Sequence, residues 1–310
     1  MTYNFEEINI RALHDPVAFV KECEDRFNNK VNMAARQISA GLSKSRVVLL
    51  SGPSGSGKTT TAHKVTDKLK EMGIKAHPVA LDKYLITYGE RAPRTADGEI
   101  DFESPHGIDL PMLIEHFDIL EDGGEITIPH FSFKMQDRDK SKESKLKLGK
   151  NEVVIFEGIH ALNDILTDAH PQAFKLYIAA ESNIERDGEI FFKRSWVRLS
   201  RRVVRDSNFR GLDASFTLKS WANVRIGEKQ YISPFKTKAD ILFDSSLEYE
   251  VPMMKSYAIK ALKHIPRNID RGDELCTMLP VFEQFEHIDC SLVPDDSIMR
   301  EFIGGGKYKY

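Results

Sequence analysis

The chain has 310 residues, of which 41% are hydrophobic, so it is long enough for one large core with additional segments. Its formal net charge of −3 provides no global field for nucleic acid or an anionic membrane, so any basic site must be local. Three widely spaced cysteines, Cys23, Cys276 and Cys290, indicate neither a disulfide framework nor a zinc site. The first residues lack a signal-peptide pattern and no apolar run reaches the length of a membrane span. We therefore expect a soluble, cytoplasmic protein.

The first predicted element is a long amphipathic helix that begins at Pro16, with Asp15 as its N-cap, and ends at Gly41. Six apolar residues recur along it at three- or four-residue spacing: Phe19, Cys23, Phe27, Val31, Ala34 and Ile38. We favour docking of this face on the rest of the chain. A seam between two copies is the alternative, which leaves a homo-oligomer open.

A strand, a glycine-rich loop and a helix follow one another between residues 46 and 71. The loop satisfies G-x-x-x-x-G-K-[ST], the pattern in which backbone N–H groups and a helix N-terminus surround a polyphosphate. We therefore expect a bound nucleoside triphosphate, with Lys58 at its β- and γ-phosphates and the Thr59 hydroxyl on Mg²⁺. The predicted nucleotide-binding residues are Gly52, Ser54, Gly55, Ser56, Gly57, Lys58, Thr59 and Thr60.

Two acidic residues stand at the ends of predicted strands. Asp82 follows the strand over 74–81, and Glu157 ends the buried strand over 151–158. Ligands of parallel α/β sheets bind at the carboxyl ends of the strands, so both acids are expected to face the nucleotide. Asp82 is a candidate base, with capping of a local turn as the alternative. Glu157 fits a Walker-B acid that positions Mg²⁺, with a surface acid as the alternative.

Other segments supply a substrate region and the rest of a parallel sheet. Residues 85–109 are polar and turn-rich, which is typical of a lid or binding loop. Residues 125–133 and 144–148 read as the two arms of one hairpin with a charged tip. Further strands over 174–179 and 240–243 alternate with helices, which predicts an α/β fold with helices on both faces of a parallel sheet.

The most basic predicted helix runs from Trp196 to Asp206, and Arg198, Arg202 and Arg205 share one of its faces. Such a face near a bound triphosphate can place guanidinium groups on a transferring phosphoryl group. A nucleic-acid contact is the weaker alternative, since the chain is acidic and the helix has no interleaved aromatic residues. Helices are predicted over 249–264 and 273–285. A short helix that begins near residue 297 is stopped by glycines, and the aromatic-basic tail after them is expected to be frayed.

Taken together and in this order, six motifs resemble those of the uridine/cytidine kinase and phosphoribulokinase family of P-loop kinases. They occupy residues 52–59, 81–82, 101–105, 128–133, 156–159 and 198–211. The resemblance implies a P-loop NTPase core over 45–250, with a small β-hairpin substrate subdomain (85–148) and an arginine-rich helical lid (190–212). A helical extension over 1–44 and C-terminal helices and tail over 251–310 flank this core, and both resemble a bacterial uridine kinase-like branch.

The resemblance also implies roles for single residues. Asp82 takes the position of the catalytic base, and Lys58, Arg205 and Arg210 act on the transferring group. The implied substrate-binding residues are Tyr84, Glu103, Phe131, Phe133, Gln136 and Arg202. Glu103 takes the place of an acid that binds ribose hydroxyls, and the two phenylalanines fall where aromatic residues flank a base. Gln136 replaces a base-reading histidine and Leu212 replaces a lid arginine, so base specificity stays open.

The implied activity is transfer of the γ-phosphate of ATP, with Mg²⁺, to a primary hydroxyl of a small molecule, with the 5′-OH of a pyrimidine nucleoside favoured. A sugar, sugar phosphate or vitamin is the alternative acceptor, and GTP is an alternative donor. A GTP-binding switch protein is a further alternative because Thr237-Lys-Ala-Asp240 resembles a guanine-reading motif. Here, however, the apolar run follows that motif, whereas in GTPases it precedes it.

Overall fold

The computed structural model of the chain describes residues 2–87, 92–95, 98, 100–266 and 272–309. The described strands are β1 Thr2–Asn4, β2 Val47–Ser51, β3 Lys75–Ala80, β4 Glu125–Ile128, β5 Phe131–Ser132, β6 Asp137–Arg138, β7 Ser144–Lys147, β8 Glu152–Glu157, β9 Phe174–Ala179, β10 Asn183–Arg186, β11 Glu189–Phe192 and β12 Ile241–Asp244. The described α-helices are α1 Phe5–His14, α2 Pro16–Gly41, α3 Lys58–Glu71, α4 Leu110–Glu121, α5 Asp164–Ala169, α6 Arg194–Phe209, α7 Ala214–Tyr231, α8 Glu250–Leu262, α9 Gly272–Glu283 and α10 Arg300–Ile303.

The centre of the molecule is a five-stranded sheet in the order β12-β9-β2-β8-β3, with every neighbouring pair parallel. All five residues of β2 are buried, because helices cover both faces of the sheet. The predicted α/β fold with a parallel sheet is confirmed. β2 lies between β8 and β9, so the loop that follows β2 opens at the middle of the carboxyl edge.

Alternate residues of the central strands point into two hydrophobic clusters. Val48 and Leu50 of β2 belong to the cluster shared with α2, α3, α6, α8 and α9. Val47 and Leu49 point to the other face, into a cluster completed by α4 and α5. This alternation fixes which side chains reach the edge of the sheet, and it places the phosphate-loop helix α3 and the basic helix α6 on the same face.

Helix α2 is docked on the rest of the chain, as favoured from its sequence. Asp15 caps it by accepting a hydrogen bond from the Ala18 N–H at 3.2 Å. Its predicted apolar face is buried against α3 and the sheet, and the Phe27 ring lies 5.1 Å from that of Phe243 on β12. Helices α1 and α2 therefore belong to the same hydrophobic cluster as the central sheet.

The predicted hairpin is correct in its outer part and wrong in its inner part. β4 pairs with β7, from Glu125 opposite Lys147 to Ile128 opposite Ser144. Phe131 and Ser132 form a separate short hairpin with Arg138 and Asp137, so the charged tip is itself folded. Pro129 and His130 interrupt the first arm, and the alternation of apolar residues continues across this break without revealing it.

Two further features differ from the expectations. The small sheet β1-β10-β11 is not predicted, since its strands are three or four residues long and carry no strong apolar period. The predicted C-terminal helix is present as α10, Arg300–Ile303, whereas the tail after it is held at Lys307, which pairs with Asp67 at 2.9 Å, and at Tyr308, whose hydroxyl donates to the same carboxylate. Part of the predicted loop over 85–109, namely residues 88–91, 96, 97 and 99, lies outside the described residues.

Candidate functional site

The glycine loop between β2 and α3 is shaped by close backbone contacts. A Cβ atom on Gly52 would lie 1.9 Å from the Ile178 carbonyl oxygen of β9, so no side chain fits there. Gly55 and Gly57 have positive φ angles of 77° and 84°, which favour glycine. Gly57 is the N-cap of α3, so those N–H groups of the first helical turn that make no hydrogen bond within the helix lie at the loop.

Lys58 begins α3 directly after this loop and is half-buried. Its Nζ atom donates a hydrogen bond to the Pro53 carbonyl at 3.2 Å. Burial lowers the pKa of Lys58, while the charges of Glu157, Glu301 and Asp82 oppose that shift. The hydroxyl of Ser56 is buried and has no hydrogen-bond partner among the described residues. The loop thus holds a cation and a free hydroxyl, which are groups that a polyphosphate can bind.

Glu157 ends β8 beside the start of α3, and its Oε1 atom accepts a hydrogen bond from the Thr59 hydroxyl at 3.1 Å. Burial raises the pKa of Glu157 to about 7, and Lys58 lowers it while Asp82 raises it. Mg²⁺ is commonly held by one or two protein oxygens together with phosphate and water. The Thr59 hydroxyl and the Glu157 carboxylate fit that donor set. No group of three or more His, Cys, Asp or Glu side chains arranged for a metal occurs within the described ranges.

Asp82 lies in the turn Leu81–Tyr84 that follows β3, and its side chain is exposed. In the sheet, Ala80 is the register partner of Glu157, so both acids stand at the same edge. Asp82 acts electrostatically on Lys58, Glu157 and Arg210. The structure therefore brings the candidate base, the phosphate lysine and the candidate Mg²⁺ ligand together.

Tyr84 does not face this site, so its predicted contact with a substrate is corrected here. Its side chain is completely buried, and its hydroxyl pairs with Nδ1 of His116 at 2.9 Å. The ring packs edge-on against Phe156 of β8. The turn after Asp82 directs the Tyr84 side chain into the core, where it has no exposed surface that a ligand could contact.

Three arginines of α6 bind the backbone or a side chain of the glycine loop. Arg198 Nε donates to the Ser54 carbonyl at 3.1 Å, and Arg202 Nη1 donates to the Ser54 hydroxyl at 3.0 Å. Arg201 is completely buried; it donates to the Gly55 carbonyl at 3.2 Å and forms an ion pair with Glu250. Two arginines of the predicted basic face, Arg198 and Arg202, thus contact the phosphate loop, whereas the third, Arg205, pairs with Asp206.

The two lid arginines converge on one buried carboxylate. Arg205 Nη2 lies 2.7 Å from Asp206 Oδ1, and Arg210 Nε lies 3.7 Å from the same oxygen. Asp206 is 2% exposed, whereas the Arg210 side chain is 55% exposed. Asp206 therefore anchors the end of α6 and leaves the Arg210 guanidinium at the surface beside Asp82.

Glu103 is a buried carboxyl group with an unpaired oxygen. Its Oε2 atom has no hydrogen-bond partner in the described part of the chain. Burial raises the pKa of Glu103 to about 7, while Arg202, Lys58 and Arg198 lower it. Buried polar atoms are nearly always paired in native proteins, so the unpaired oxygen of Glu103 near three cations is a candidate ligand position.

Helix α7 packs directly against Glu103 at Gly227. A Cβ atom on Gly227 would lie 2.3 Å from the Glu103 Cβ, so only glycine allows this close contact. The neighbouring Glu228 accepts hydrogen bonds from Arg198 Nη1 at 2.8 Å and from Arg225 Nη1 at 2.6 Å. Helix α7 and a role for the buried Arg201 are not predicted from the sequence. In the sequence, a glycine followed by an acid at residues 227–228 is too weak a pattern to predict a site. Only the packing of α7 against Glu103 and Arg198 shows that these two residues lie at the site.

The three remaining predicted substrate residues lie in the small hairpin. Phe131 is buried and Phe133 is 62% exposed, and their rings meet edge-on with centroids 5.4 Å apart. Gln136 is exposed at the tip with a positive φ of 53°. In this arrangement the two rings contact each other and leave no gap for a flat base between them.

Comparisons with known proteins identify the family to which the chain belongs. The model of the phosphoribulokinase/uridine kinase family matches residues 47–252. Uridine kinase of Halobacterium salinarum is 27% identical over 194 residues, covering 62% of this chain and 77% of that protein. Uridine kinase of Staphylococcus epidermidis (strain RP62A) is 28% identical over 211 residues, covering 65% of this chain and 88% of that protein.

Among solved structures, D-glycerate 3-kinase from Cryptococcus neoformans superimposes with a TM-score of 0.46 at 15% identity, covering 68% of this chain and 90% of that one. Within the described residues no helix is long and apolar enough to cross a membrane. With two thirds of its length matched by the family model, the chain belongs to the phosphoribulokinase/uridine kinase family of P-loop kinases.

Proposed function

We propose that the protein transfers the γ-phosphate of ATP to a primary hydroxyl of a small molecule, with the 5′-OH of a pyrimidine nucleoside as the favoured acceptor. The observation that carries this proposal is the group of Lys58, the Thr59–Glu157 pair and the exposed Asp82 at one edge of the sheet. Phosphoryl transfer needs positioned phosphates, a site for Mg²⁺ and a group that receives the proton of the nucleophile. These residues can supply all three.

The glycine loop and Lys58 would hold the phosphates, and Thr59 and Glu157 would hold Mg²⁺. When bound, Mg²⁺ neutralises charge on the phosphate oxygens. Asp82 is exposed and free to approach an acceptor, so its carboxylate accepts the proton of the attacking hydroxyl. Arg205 and Arg210 lie at the end of α6, where their guanidinium groups neutralise charge on the transferring group.

Glu103 supports an acceptor with several hydroxyl groups. An ionised carboxylate accepts hydrogen bonds and donates none, so the unpaired Oε2 atom would accept from a sugar hydroxyl. Arg202 lowers the pKa of this carboxyl group against the larger effect of burial, which favours the ionised form at a pH above about 7. Ribose fits this requirement, and both of the named relatives are uridine kinases.

The alternative acceptor is another hydroxylated metabolite, such as a sugar, a sugar phosphate or a vitamin. The edge-on contact of Phe131 and Phe133 favours this alternative, since the two rings must separate before a base can lie between them. Gln136 has a donor and an acceptor and could read a uracil or cytosine edge from the hairpin tip.

The test is a product analysis with ATP, Mg²⁺ and a panel of nucleosides, sugars, sugar phosphates and pantothenate. The proposal expects a nucleoside 5′-monophosphate, identified by mass spectrometry and ³¹P resonance, from uridine, cytidine or thymidine. Replacing Phe133 with alanine should raise the KM for the nucleoside by about tenfold, since stacking on a base contributes about 1–3 kcal/mol. A phosphorylated sugar or vitamin without any nucleotide product would replace the favoured acceptor with the alternative one.

A further inference from the structure

The C-terminal segment Ser297–Gly304 lies against the start of the phosphate-loop helix α3. A Cβ atom on Gly57 would be 3.5 Å from the Ile298 Cδ1 atom. The Glu301 carboxylate accepts a hydrogen bond from the Thr60 hydroxyl at 2.7 Å and another from the Thr60 N–H at 3.3 Å. This segment lies outside residues 47–252, the range that the family model matches.

Thr60 is the third residue of α3, and its N–H group is one of those that have no partner within the helix. In a glycine loop followed by a helix, such N–H groups cradle the phosphates of the nucleotide. A donor that is held by Glu301 cannot be given fully to a phosphate at the same time. The Glu301 carboxylate and a nucleotide phosphate are also both anionic, so they repel each other at short distance.

The charge of Glu301 is not neutralised by a direct ion pair. It is 9% exposed and forms no ion pair with any lysine, arginine or histidine in the described part of the chain. Its electrostatic influence reaches Lys58 and Glu157, the two groups that would face the triphosphate and Mg²⁺. The carboxylate is therefore a buried anion at an anion-binding position, and the cations Lys58 and Arg210 act on it without a direct ion pair.

The segment is fixed at this place by residues from distant parts of the chain. The Ser297 hydroxyl and the Tyr249 hydroxyl both donate to Glu24 Oε1 of α2, at 2.5 Å and 2.6 Å. On the other side, Asn208 of the basic helix α6 donates from Nδ2 to the Phe302 carbonyl at 3.2 Å. Because of these anchors, the Glu301 contact is part of the fold rather than an end of chain that happens to lie nearby.

We propose that Glu301 is an internal competitor of the nucleotide phosphates, which holds the Thr60 N–H in the free protein and is displaced when a triphosphate binds. The inference rests on the proposed function only in that the glycine loop must bind a triphosphate. Displacement of Glu301 would move Phe302 and thereby the contact with Asn208 on α6. Nucleotide binding is then coupled to the helix that carries the lid arginines.

The test is calorimetric titration of the full-length protein with ATP and with inorganic diphosphate, in the absence of any acceptor. Glu301→Gln keeps the shape and the hydrogen-bond acceptor but removes the charge, so the Kd should fall by about five- to tenfold for both ligands, in line with the effect of one charge at a helix N-terminus. Glu286→Gln is the matched control, since it removes the same charge from an exposed position of the C-terminal region and should leave the Kd unchanged.

Hydrogen exchange gives a second readout that does not depend on a substitution. The amides of Ile303 and Gly304 donate to the carbonyls of Met299 and Arg300, so they are protected in the free protein. Addition of ATP to the wild-type protein should increase their exchange as the segment is displaced. An unchanged or higher Kd in Glu301→Gln, or slower exchange of these amides with ATP, would overturn the proposal. Tighter binding without transfer to any acceptor would support it even if the proposed kinase activity failed.

Discussion

The Thr59 hydroxyl donates a hydrogen bond to the Glu157 carboxylate at 3.1 Å, which joins the start of α3 to the end of β8. The contact depends on the sheet order, because β2 and β8 are adjacent and parallel. Their carboxyl ends therefore meet at one edge, and the loop after β2 delivers Thr59 to the acid that ends β8. The pair forms the donor set that we assign to Mg²⁺.

Binding of the Mg²⁺ complex of a nucleotide should depend on pH through Glu157. Its pKa in the free protein is about 7, and only the ionised carboxylate can bind the cation. Below pH 7 the affinity for MgADP should therefore fall by about tenfold per pH unit. Calorimetric titrations at pH 6, 7 and 8 measure this slope. The Glu157→Gln variant should bind MgADP more weakly, and its affinity should no longer change with pH. The Glu103→Gln variant should keep the wild-type dependence on pH. A wild-type dependence on pH in Glu157→Gln would refute the assignment of Glu157 as a Mg²⁺ ligand.

Glu103→Gln should stabilise the free protein at high pH and weaken acceptor binding. The pKa of Glu103 is about 7 when folded, above its value in the unfolded chain, so its contribution to stability is full below about pH 4.3 and is lost as the pH rises through 7. At pH 8 the variant should gain on the order of 2 kcal/mol in the free energy of unfolding, and at pH 5 much less. Urea denaturation of the wild-type protein and the variant at pH 5 and pH 8 measures this difference in the free energy of unfolding. A loss of stability at pH 8, or an unchanged KM for the acceptor, would contradict the account of Glu103.

Gly227→Ala should displace Glu103 without touching the nucleotide site. The added methyl group would lie 2.3 Å from the Glu103 Cβ, so the loop that carries Glu103 or helix α7 must shift. We expect a rise in the KM for the acceptor of about tenfold and a loss of roughly 1–3 kcal/mol in stability, with the Kd for ATP unchanged. Gly41→Ala is the control, because it is helical and meets nothing within 4 Å. Equal acceptor KM values in the two variants would show that Gly227 has no part in holding Glu103.

Arg201→Met should be strongly destabilising, although this arginine is not one of the predicted site residues. It would leave the Glu250 carboxylate buried without its cation and the Gly55 carbonyl without a donor. We expect a loss of about 3–5 kcal/mol in the free energy of unfolding and weaker binding of ATP. Lys21→Met breaks the exposed pair with Asp25 and should cause little change in the melting temperature. Similar melting temperatures for both variants would contradict the structural role of Arg201.

The sequence is sufficient to predict the elements whose patterns are local. The G-x-x-x-x-G-K-[ST] motif, the apolar strands and the acids that end them place Lys58, Thr59, Asp82 and Glu157 at one edge before any coordinates are seen. This succeeds because the ends of adjacent parallel strands must meet, whatever the details of packing. The helix Pro16–Gly41 is predicted for a similar reason, since its cap and its apolar face are both local patterns.

Contacts between distant segments could not be predicted in this way. Tyr84 stands two residues after Asp82, yet a single turn sends the acid to the surface and the ring into the core. The support of Glu103 by Gly227 and the contact of Glu301 with Thr60 span 124 and 241 residues, and nothing periodic in the sequence marks either. These contacts follow from how helices pack on the sheet, which a motif does not encode.

The central claim is that Asp82 receives the proton of the acceptor hydroxyl, and Asp82→Asn tests it most directly. ADP release with ATP and Mg²⁺ is measured with and without uridine, cytidine or thymidine, and ATP binding is measured by calorimetry in parallel. The account predicts that a nucleoside stimulates ADP release by the wild-type protein. It also predicts that the variant binds ATP with unchanged Kd but has kcat lower by about 10²- to 10⁴-fold. Nucleoside-stimulated ADP release by Asp82→Asn at a near wild-type rate would contradict it.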